Sequence, residues 1–334
     1  MQPKQISRFR IDKELGSGSA GVAYLGTDAE SGDKVAVKLL SAEMSKDETM
    51  QKRFLREMQV MSKLKHPQIV KLYECGLHED RFYYVMEWID FGTLKTILMA
   101  RTSLPWRDAA EVALQIAEGL AHAHEHGVIH RDLKPANVFI SSDGRVLLGD
   151  FGLAKDASAA SLTADGLTVG TCQYMSPEQI QGRRDVSGAL DLYALGCLIY
   201  EMVSGQLPYV SLNVIELLQK HMGAPPPDLH QVAPRCPQEL ATLVQELLAK
   251  SPDDRPASAR IVADRLRGIL EQHAPAKPPG EKPGEPVASP GQATPEFFDR
   301  LTGRSRRTAS WKVLAVILAV AVVIGVVVAM NSGR

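Results

Sequence analysis

Apolar and polar positions alternate with period two through much of the N-terminal part of the chain, and that period marks β-strands. From Phe9 to Val37 the chain reads as strands folded around the glycine-rich turn Leu15-Gly16-Ser17-Gly18-Ser19-Ala20-Gly21. Val22-Ala23-Tyr24-Leu25 is the second strand of that series, and Gly32-Asp33 turns into a third. In Val35-Ala36-Val37-Lys38 the alternation puts both valines on one face and Ala36 and Lys38 on the other. The period then lengthens: Phe54, Leu55, Met58, Met61 and Leu64 form an apolar stripe at helical spacing. His66-Pro67-Gln68-Ile69-Val70 opens the next strand region, and Phe82-Tyr83-Tyr84-Val85-Met86-Glu87 reads as a further strand. Helical spacing dominates afterwards. Trp106 to Glu125 is a helix with Ala110, Ala113, Leu114, Ala117, Leu120 and Ala121 on one face, and a later helix buries Leu195, Leu198, Ile199, Met202 and Val203. Leu240 to Leu248 and Ile261 to Leu270 are the closing helices.

Near the C-terminus the pattern changes twice. Ala274 to Pro295 holds seven prolines and three glycines in 22 residues, a composition that cannot bury a core and predicts an extended tether over 274–296. Arg300, Arg304, Arg306, Arg307 and Lys312 then precede Val313 to Met330, an unbroken run of 18 residues without a polar side chain. That length is enough to cross the hydrocarbon core of a bilayer, and Trp311 suits its interface. The alternative is a buried core helix, but the run follows a tether with no partner domain left to cover it. The basic cluster on its N-terminal side predicts that this side is cytoplasmic. Only Asn331 to Arg334 follow, so no folded external sensor is expected beyond the run, and no apolar stretch near Met1 suggests a secretory signal.

Length, 334 residues, accommodates one large domain plus such extras. Lys plus Arg is 38 against 39 Asp plus Glu, and the resulting net charge of −1 points to no nucleic-acid partner. Cys75, Cys172, Cys197 and Cys236 are far apart, with no metal-ligand spacing, and read as reduced thiols. His122 and His126 lie one helical turn apart, but no acid or cysteine joins them at matching spacing, so solvated or capping histidines are expected rather than a metal site.

The stretch His130-Arg131-Asp132-Leu133-Lys134-Pro135-Ala136-Asn137, followed by Asp150-Phe151-Gly152, concentrates an acid, an ammonium group and oxygen ligands for a divalent cation. Upstream, Gly16, Gly18 and Gly21 let the backbone approach a polyphosphate. A dinucleotide-binding turn would need those glycines to open a helix, whereas a strand follows them here. Together and in this order, these motifs resemble the eukaryotic-type protein kinase family. The resemblance spans about Phe9 to Leu270 and is nearest to bacterial membrane-bound Ser/Thr kinases. It implies an α+β, two-lobed fold: a small, mostly β N-lobe over 9–86 and a larger, mostly α C-lobe over 92–270. The C-terminal transmembrane helix at 313–330 is an addition to it.

The resemblance also assigns roles. Asp132 is the base toward the acceptor hydroxyl, and Lys134 reaches the γ-phosphate. Asn137 and Asp150 hold magnesium, with manganese as a substitute. Lys38 anchors the α- and β-phosphates of ATP and is oriented by Glu57. Leu15, Gly16, Gly18, Gly21, Ala23, Ala36, Met86, Glu87 and Ile89 surround the nucleotide, Met86 as gatekeeper. The family usually has Val where Ala23 stands, and the missing apolar surface predicts weaker ATP binding, at about 0.8 kcal/mol per methylene. His130 is expected to be structural, buried behind the loop, and Asp191 to hold the loop's backbone. Asp-Leu-Lys-Pro-x-Asn and Gly170-Thr171-Cys172-Gln173-Tyr174-Met175-Ser176-Pro177-Glu178 resemble the Ser/Thr branch, with Thr171 near Asp132 and with Glu178 paired to Arg255. Thr163 and Thr168 lie in a polar segment where an added phosphate pairs with Arg131, and Asp165 is a candidate permanent substitute. The implied partners are protein substrates bearing Ser or Thr, a second copy for trans-autophosphorylation, and the lipid bilayer. A membrane-anchored pseudokinase adaptor and a small-molecule phosphotransferase of related fold are the alternatives.

Overall fold

The computed structural model describes residues 3–18, 21–46, 48–151, 172–183, 186–274 and 291–303. Two lobes follow from the two periodicities. The N-lobe is a six-stranded antiparallel sheet. Its strands are β1 (Gln5–Ile6), β2 (Phe9–Gly18), β3 (Gly21–Asp28), β4 (Lys34–Leu40), β5 (Leu72–His78) and β6 (Arg81–Glu87), in the order β1-β2-β3-β4-β6-β5. One face is a closed apolar cluster of Ile6, Phe9, Ile11, Tyr24, Val35, Val37, Leu39, Tyr83 and Val85. The other carries the intervening positions. Ala23 lies opposite Lys38, Leu25 opposite Ala36, Lys38 opposite Tyr84 and Ala36 opposite Met86, so these side chains share the face that looks toward the second lobe.

Two helices cross that face's edge, α1 (Ala42–Lys46) and α2 (Glu48–Met61). α2 packs through Phe54 and Met58 onto Leu40, Phe82 and Tyr84. Leu55, expected in the buried stripe, is half exposed, because it stands about 100° around the helix from Phe54. The strand expected from His66 begins only at Leu72. Pro67 lacks an N–H for a ladder. Instead Gln68 O and Val70 N bond Leu148 N and O at 2.9 Å, which joins the lobes.

The C-lobe opens with a three-stranded sheet of β7 (Gly92–Thr93), β8 (Val138–Ile140) and β9 (Val146–Leu148). Around it stand α3 (Leu94–Arg101), α4 (Trp106–Glu125), α5 (Pro177–Ile180), α6 (Ala189–Ser204), α7 (Val214–Gly223), α8 (Leu229–Val232), α9 (Gln238–Leu247) and α10 (Ala259–Gln272). The expected faces of α4 and α6 are buried, with Leu114, Leu120, Leu195 and Leu198 fully inaccessible. A last helix, α11 (Pro295–Thr302), lies against α4 with Phe297, Phe298 and Leu301 buried. The stretch 291–296, read from composition as tether, therefore belongs in part to the folded C-lobe. Pro295 opens and Gly303 ends a short amphipathic helix whose aromatic pair outweighs the local bias. Among the described residues no helix is long and apolar enough to cross a membrane, and the run at 313–330 lies outside them.

The C-lobe core also encloses ionisable groups. His221 is inaccessible, with Nδ1 2.9 Å from the Tyr193 hydroxyl, its ring against Tyr209, and Lys250 Nζ donating to its carbonyl at 2.8 Å. Burial, and secondarily Lys250, pushes its pKa down to about 4. The unfolded chain protonates this imidazole below about pH 6.5, while the folded chain keeps it neutral to about 4. Stability from this group is therefore complete above pH 6.5 and is lost as the pH falls toward 4, on the order of 2 kcal/mol by pH 5. Urea unfolding at pH 7.5 and 5 is expected to show a smaller pH difference for His221→Gln than for the natural chain. Equal differences would remove His221 as a source of acid sensitivity.

Candidate active site

The glycine turn sits between β2 and β3, with Gly16 opposite Ala23 and Gly18 opposite Gly21. The glycines serve different needs. Gly21 has φ of +137°, and a Cβ there would lie 2.2 Å from Leu39 O, so the neighbouring strand alone demands glycine. A Cβ on Gly16 or Gly18 would meet nothing within 4 Å, which leaves room beside the backbone for phosphate oxygens.

On the sheet face below the turn, Lys38 Nζ donates to Asp150 Oδ1 at 2.8 Å, and the Tyr84 hydroxyl donates to the same oxygen at 3.0 Å. The expected partner of Lys38 was Glu57. The pair the structure shows is with Asp150, whose Oδ1 Tyr84, opposite Lys38 on β6, also reaches, while Glu57 is half-buried on α2. Burial, then the Asp150 charge, raises the Tyr84 hydroxyl well above its ordinary value, so it stays a donor at any working pH. Met86 is half-buried at the end of the same face. Glu87 N–H is engaged by Lys71 O at 2.9 Å, so Glu87 can meet an adenine edge only through its carbonyl. Its side chain pairs with Arg145 at 3.1 Å. The Ile89 side chain packs with Val70 and Leu147, which leaves only its backbone for a ligand.

The loop after α4 supplies the remaining groups. Asp191, fully buried on α6, accepts from His130 N at 2.8 Å, Arg131 N at 2.9 Å and His124 Nε2 at 2.8 Å. Such a buried carboxylate satisfies three donors at once and pins the loop from beneath. Arg131 and Asp150 both adopt positive φ, +63° and +49°, a conformation rare outside glycine that marks sites held by their surroundings. His130 is buried. Its Nδ1 receives Asp132 N–H at 3.4 Å, so its Nε2 carries the proton given to Gly149 O at 3.1 Å. Burial lowers its pKa, against the opposing charge of Asp191, and its ring lies 4.5 Å from that of Phe151.

Asp132 Oδ2 receives Lys134 Nζ at 2.8 Å and Asn137 Nδ2 at 3.1 Å, and the same amide donates to Asp132 O at 2.7 Å. With its nitrogen so engaged, Asn137 has Oδ1 left to offer a cation. Lys38, Asp132, Lys134, Asn137 and Asp150 are thus brought together by direct or shared bonds within two groups. One is on the sheet side and one on the loop side, joined by the β8–β9 hairpin that runs from Asn137 to Asp150.

The surrounding platform holds as well. Glu178 and Arg255 form a bidentate pair at 2.7 and 2.9 Å, both buried. Gln179 Nε2 donates to Arg131 O at 2.9 Å and ties α5 to the loop. Thr163, Thr168 and Thr171, with Gly152 and Asp165, lie outside the described residues. Sequence reasoning missed Tyr84, His124 and Gln179. The first two are visible only through strand register and helix packing. For Gln179 the signal was present, since Ser176-Pro177-Glu178-Gln179 is a capping box, and both of its bonds are made.

Residues 9–266 match the protein kinase domain family. A probable serine/threonine-protein kinase PknB of Lactococcus lactis is 37% identical over 74% of this chain, which spans 40% of that protein. The serine/threonine-protein kinase PrkC of Bacillus subtilis is 34% identical over 75% of the chain and 39% of its own length. PknA of Mycobacterium tuberculosis is 33% identical over 89% of the chain and 70% of its own length. The chain thus covers well under half of the first two relatives. Among solved structures, the Mycobacterium tuberculosis PknI kinase domain superposes with a TM-score of 0.64 at 28% identity, covering 79% of this chain and 97% of that one.

Proposed function

The chain belongs to the protein kinase family, in its serine/threonine branch, and from that premise we propose that it transfers the γ-phosphoryl group of ATP to Ser and Thr hydroxyls of proteins. The observation that carries this reading is the joint placement of Lys38, Asp132, Lys134, Asn137 and Asp150. No member of the set is absent, which speaks against a scaffold without activity.

Phosphoryl transfer passes through a loose transition state, so the protein mainly positions reactants and balances charge. Asp132 accepts the proton of the acceptor hydroxyl on a carboxylate whose plane is fixed by Lys134 and Asn137. Lys134 also stands two residues from Asp132, within reach of the transferred group. Lys38 binds the phosphates from the sheet side. The donor set of Asn137 Oδ1 and the Asp150 carboxylate fits magnesium, a hard cation that prefers oxygen. Asn137 and Asp150 would hold such an ion, which would supply positive charge to offset that of the phosphates. The open space beside Gly16 and Gly18 fits a polyphosphate in the same way.

The peptide-positioning segment ending in the Glu178–Arg255 pair favours protein over small-molecule acceptors. The purified chain with labelled ATP and magnesium is expected to phosphorylate itself and a Ser/Thr protein, and not aminoglycosides or choline. Label on the small hydroxyl compounds alone, or on nothing, would sink this reading. Autophosphorylation of the segment holding Thr163 and Thr168, with Arg131 as the receiving cation, belongs to the same proposal. So does tethering through 313–330 with the catalytic lobes on the cytoplasmic side, supported by the apolar run and the basic residues before it.

A further inference from the structure

α11 and the residues that lead into it are built into the C-lobe with unusual care for a segment so far along the chain. Thr294 Oγ1 caps the helix by accepting Phe297 N–H at 3.1 Å, and Gly303 ends it at φ of +70°. Arg101 donates to the carbonyls of Arg300 and Leu301, which captures the helix's unsatisfied end. Arg300 pairs with the buried Asp108 at 3.0 Å and with Glu111 at 2.7 Å.

What this helix touches links it to the nucleotide site. The Phe298 ring stands edge-on to Phe91, with centroids 4.9 Å apart, and Phe91 stands two residues past the hinge residues Glu87 to Ile89. The Thr294 backbone lies on the β8–β9 turn so closely that a Cβ on Gly144 would come 2.3 Å from Thr294 O. That turn is fastened to the hinge by Ser142 N–H on Asp90 Oδ1 at 2.9 Å and by Arg145 on Glu87 at 3.1 Å. The two strands leaving the turn run to Asn137 and Asp150. One short helix therefore holds both parts of a joint between the adenine edge and the cation ligands.

We propose that Thr294–Gly303 is a clasp that fixes the hinge exit against the β8–β9 turn and so preorganises the nucleotide pocket, with Phe298 and Arg300 as positioning residues. Loosening it makes ATP binding bear the ordering of the joint. The loop that carries Asp132 and Lys134 is held at its His130 and Arg131 amides by Asp191, independently of α11, so turnover at saturating ATP is affected little. The proposal rests on the ATP-dependent reading above.

The test uses the full chain, with equilibrium ATP binding and steady-state kinetics measured well below the unfolding temperature. Phe298→Ala and Arg300→Glu are each expected to raise Kd and KM for ATP about three- to tenfold, with kcat within about twofold. Arg300→Lys, which keeps a cation for both Asp108 and Glu111, should retain most of the affinity. Unchanged ATP affinity in Phe298→Ala and Arg300→Glu, with or without a lower unfolding temperature, would overturn the clasp, and so would a loss in Arg300→Lys as large as that in Arg300→Glu. If Phe298→Ala does not fold, the two Arg300 variants decide alone. A natural chain that binds ATP yet phosphorylates nothing overturns the kinase reading while the binding comparison still judges the clasp. One that binds no ATP overturns both.

Discussion

Replacing Asp132 with Asn is expected to lower kcat for protein phosphorylation by roughly 10²–10⁴-fold, the range for loss of a general base. KM for ATP should change little, because Asp132 lies on the loop side, away from Lys38 and the glycine turn. The change is nearly isosteric. An amide oxygen can still accept from Lys134 and Asn137, which reach Asp132 Oδ2 at 2.8 and 3.1 Å, so the thermal transition should stay close to that of the natural chain. Initial rates of phosphate incorporation at saturating ATP, with calorimetry on the same samples, separate the two effects. Undiminished transfer by Asp132→Asn would remove Asp132 as the base, and a collapse of stability would make the rate loss uninformative about chemistry.

The second large effect concerns the fold beneath the substrate platform. Arg255 gives two parallel bonds to Glu178 and further bonds to the carbonyls of Ala249, Ala189 and Lys250. Both charged side chains are shut away from solvent. Arg255→Met strands the Glu178 carboxylate in that interior and is expected to cost about 3–5 kcal/mol, since a buried charge without its partner is far worse than no charge at all. For a domain of this size that corresponds to a drop in unfolding temperature on the order of 10 °C. The double variant Glu178→Leu, Arg255→Met should recover part of the loss. Full recovery is not expected, because three backbone carbonyls also lose their donor. Denaturant unfolding of the single and double variants measures this, and a single-variant loss below about 1 kcal/mol would show that the pair is solvated in solution.

Much of the site was readable before the fold was known, and the reason is local. Asp132, Lys134 and Asn137 are close along the chain, so one short loop can bring their side chains within bonding distance once its backbone is held. Strand alternation likewise put Ala36 and Lys38 on one face of β4, and the register with β6 confirms that face. The buried faces of α4 and α6 followed from helical spacing. Where the reading failed, a distant partner decided the outcome. Lys38 took an acceptor 112 residues away, Asp150, in preference to Glu57. His124, one of three histidines that look alike on the helix, was singled out by Asp191, 67 residues on. Leu55 matched the helical stripe as well as its neighbours did, yet lies outside the packed arc.

The docked helix gives the sharpest contrast. A proline- and glycine-rich composition describes an extended chain, and over 274–294 nothing local argues otherwise. The Phe297-Phe298 pair becomes a core element only because α3, α4 and the β8–β9 turn form a groove that receives it, with Arg101 meeting carbonyls 199 and 200 residues later. From its order of residues alone, then, this protein has its strands, its principal helices, its family and the chemistry of its loop, since each depends on neighbours within a turn or a strand. Which acid meets Lys38, which histidine braces the loop and where residues 291–303 come to rest were decided by tertiary packing. Those contacts join positions that only the completed fold brings near one another, and burial then selects among candidates that spacing leaves equal.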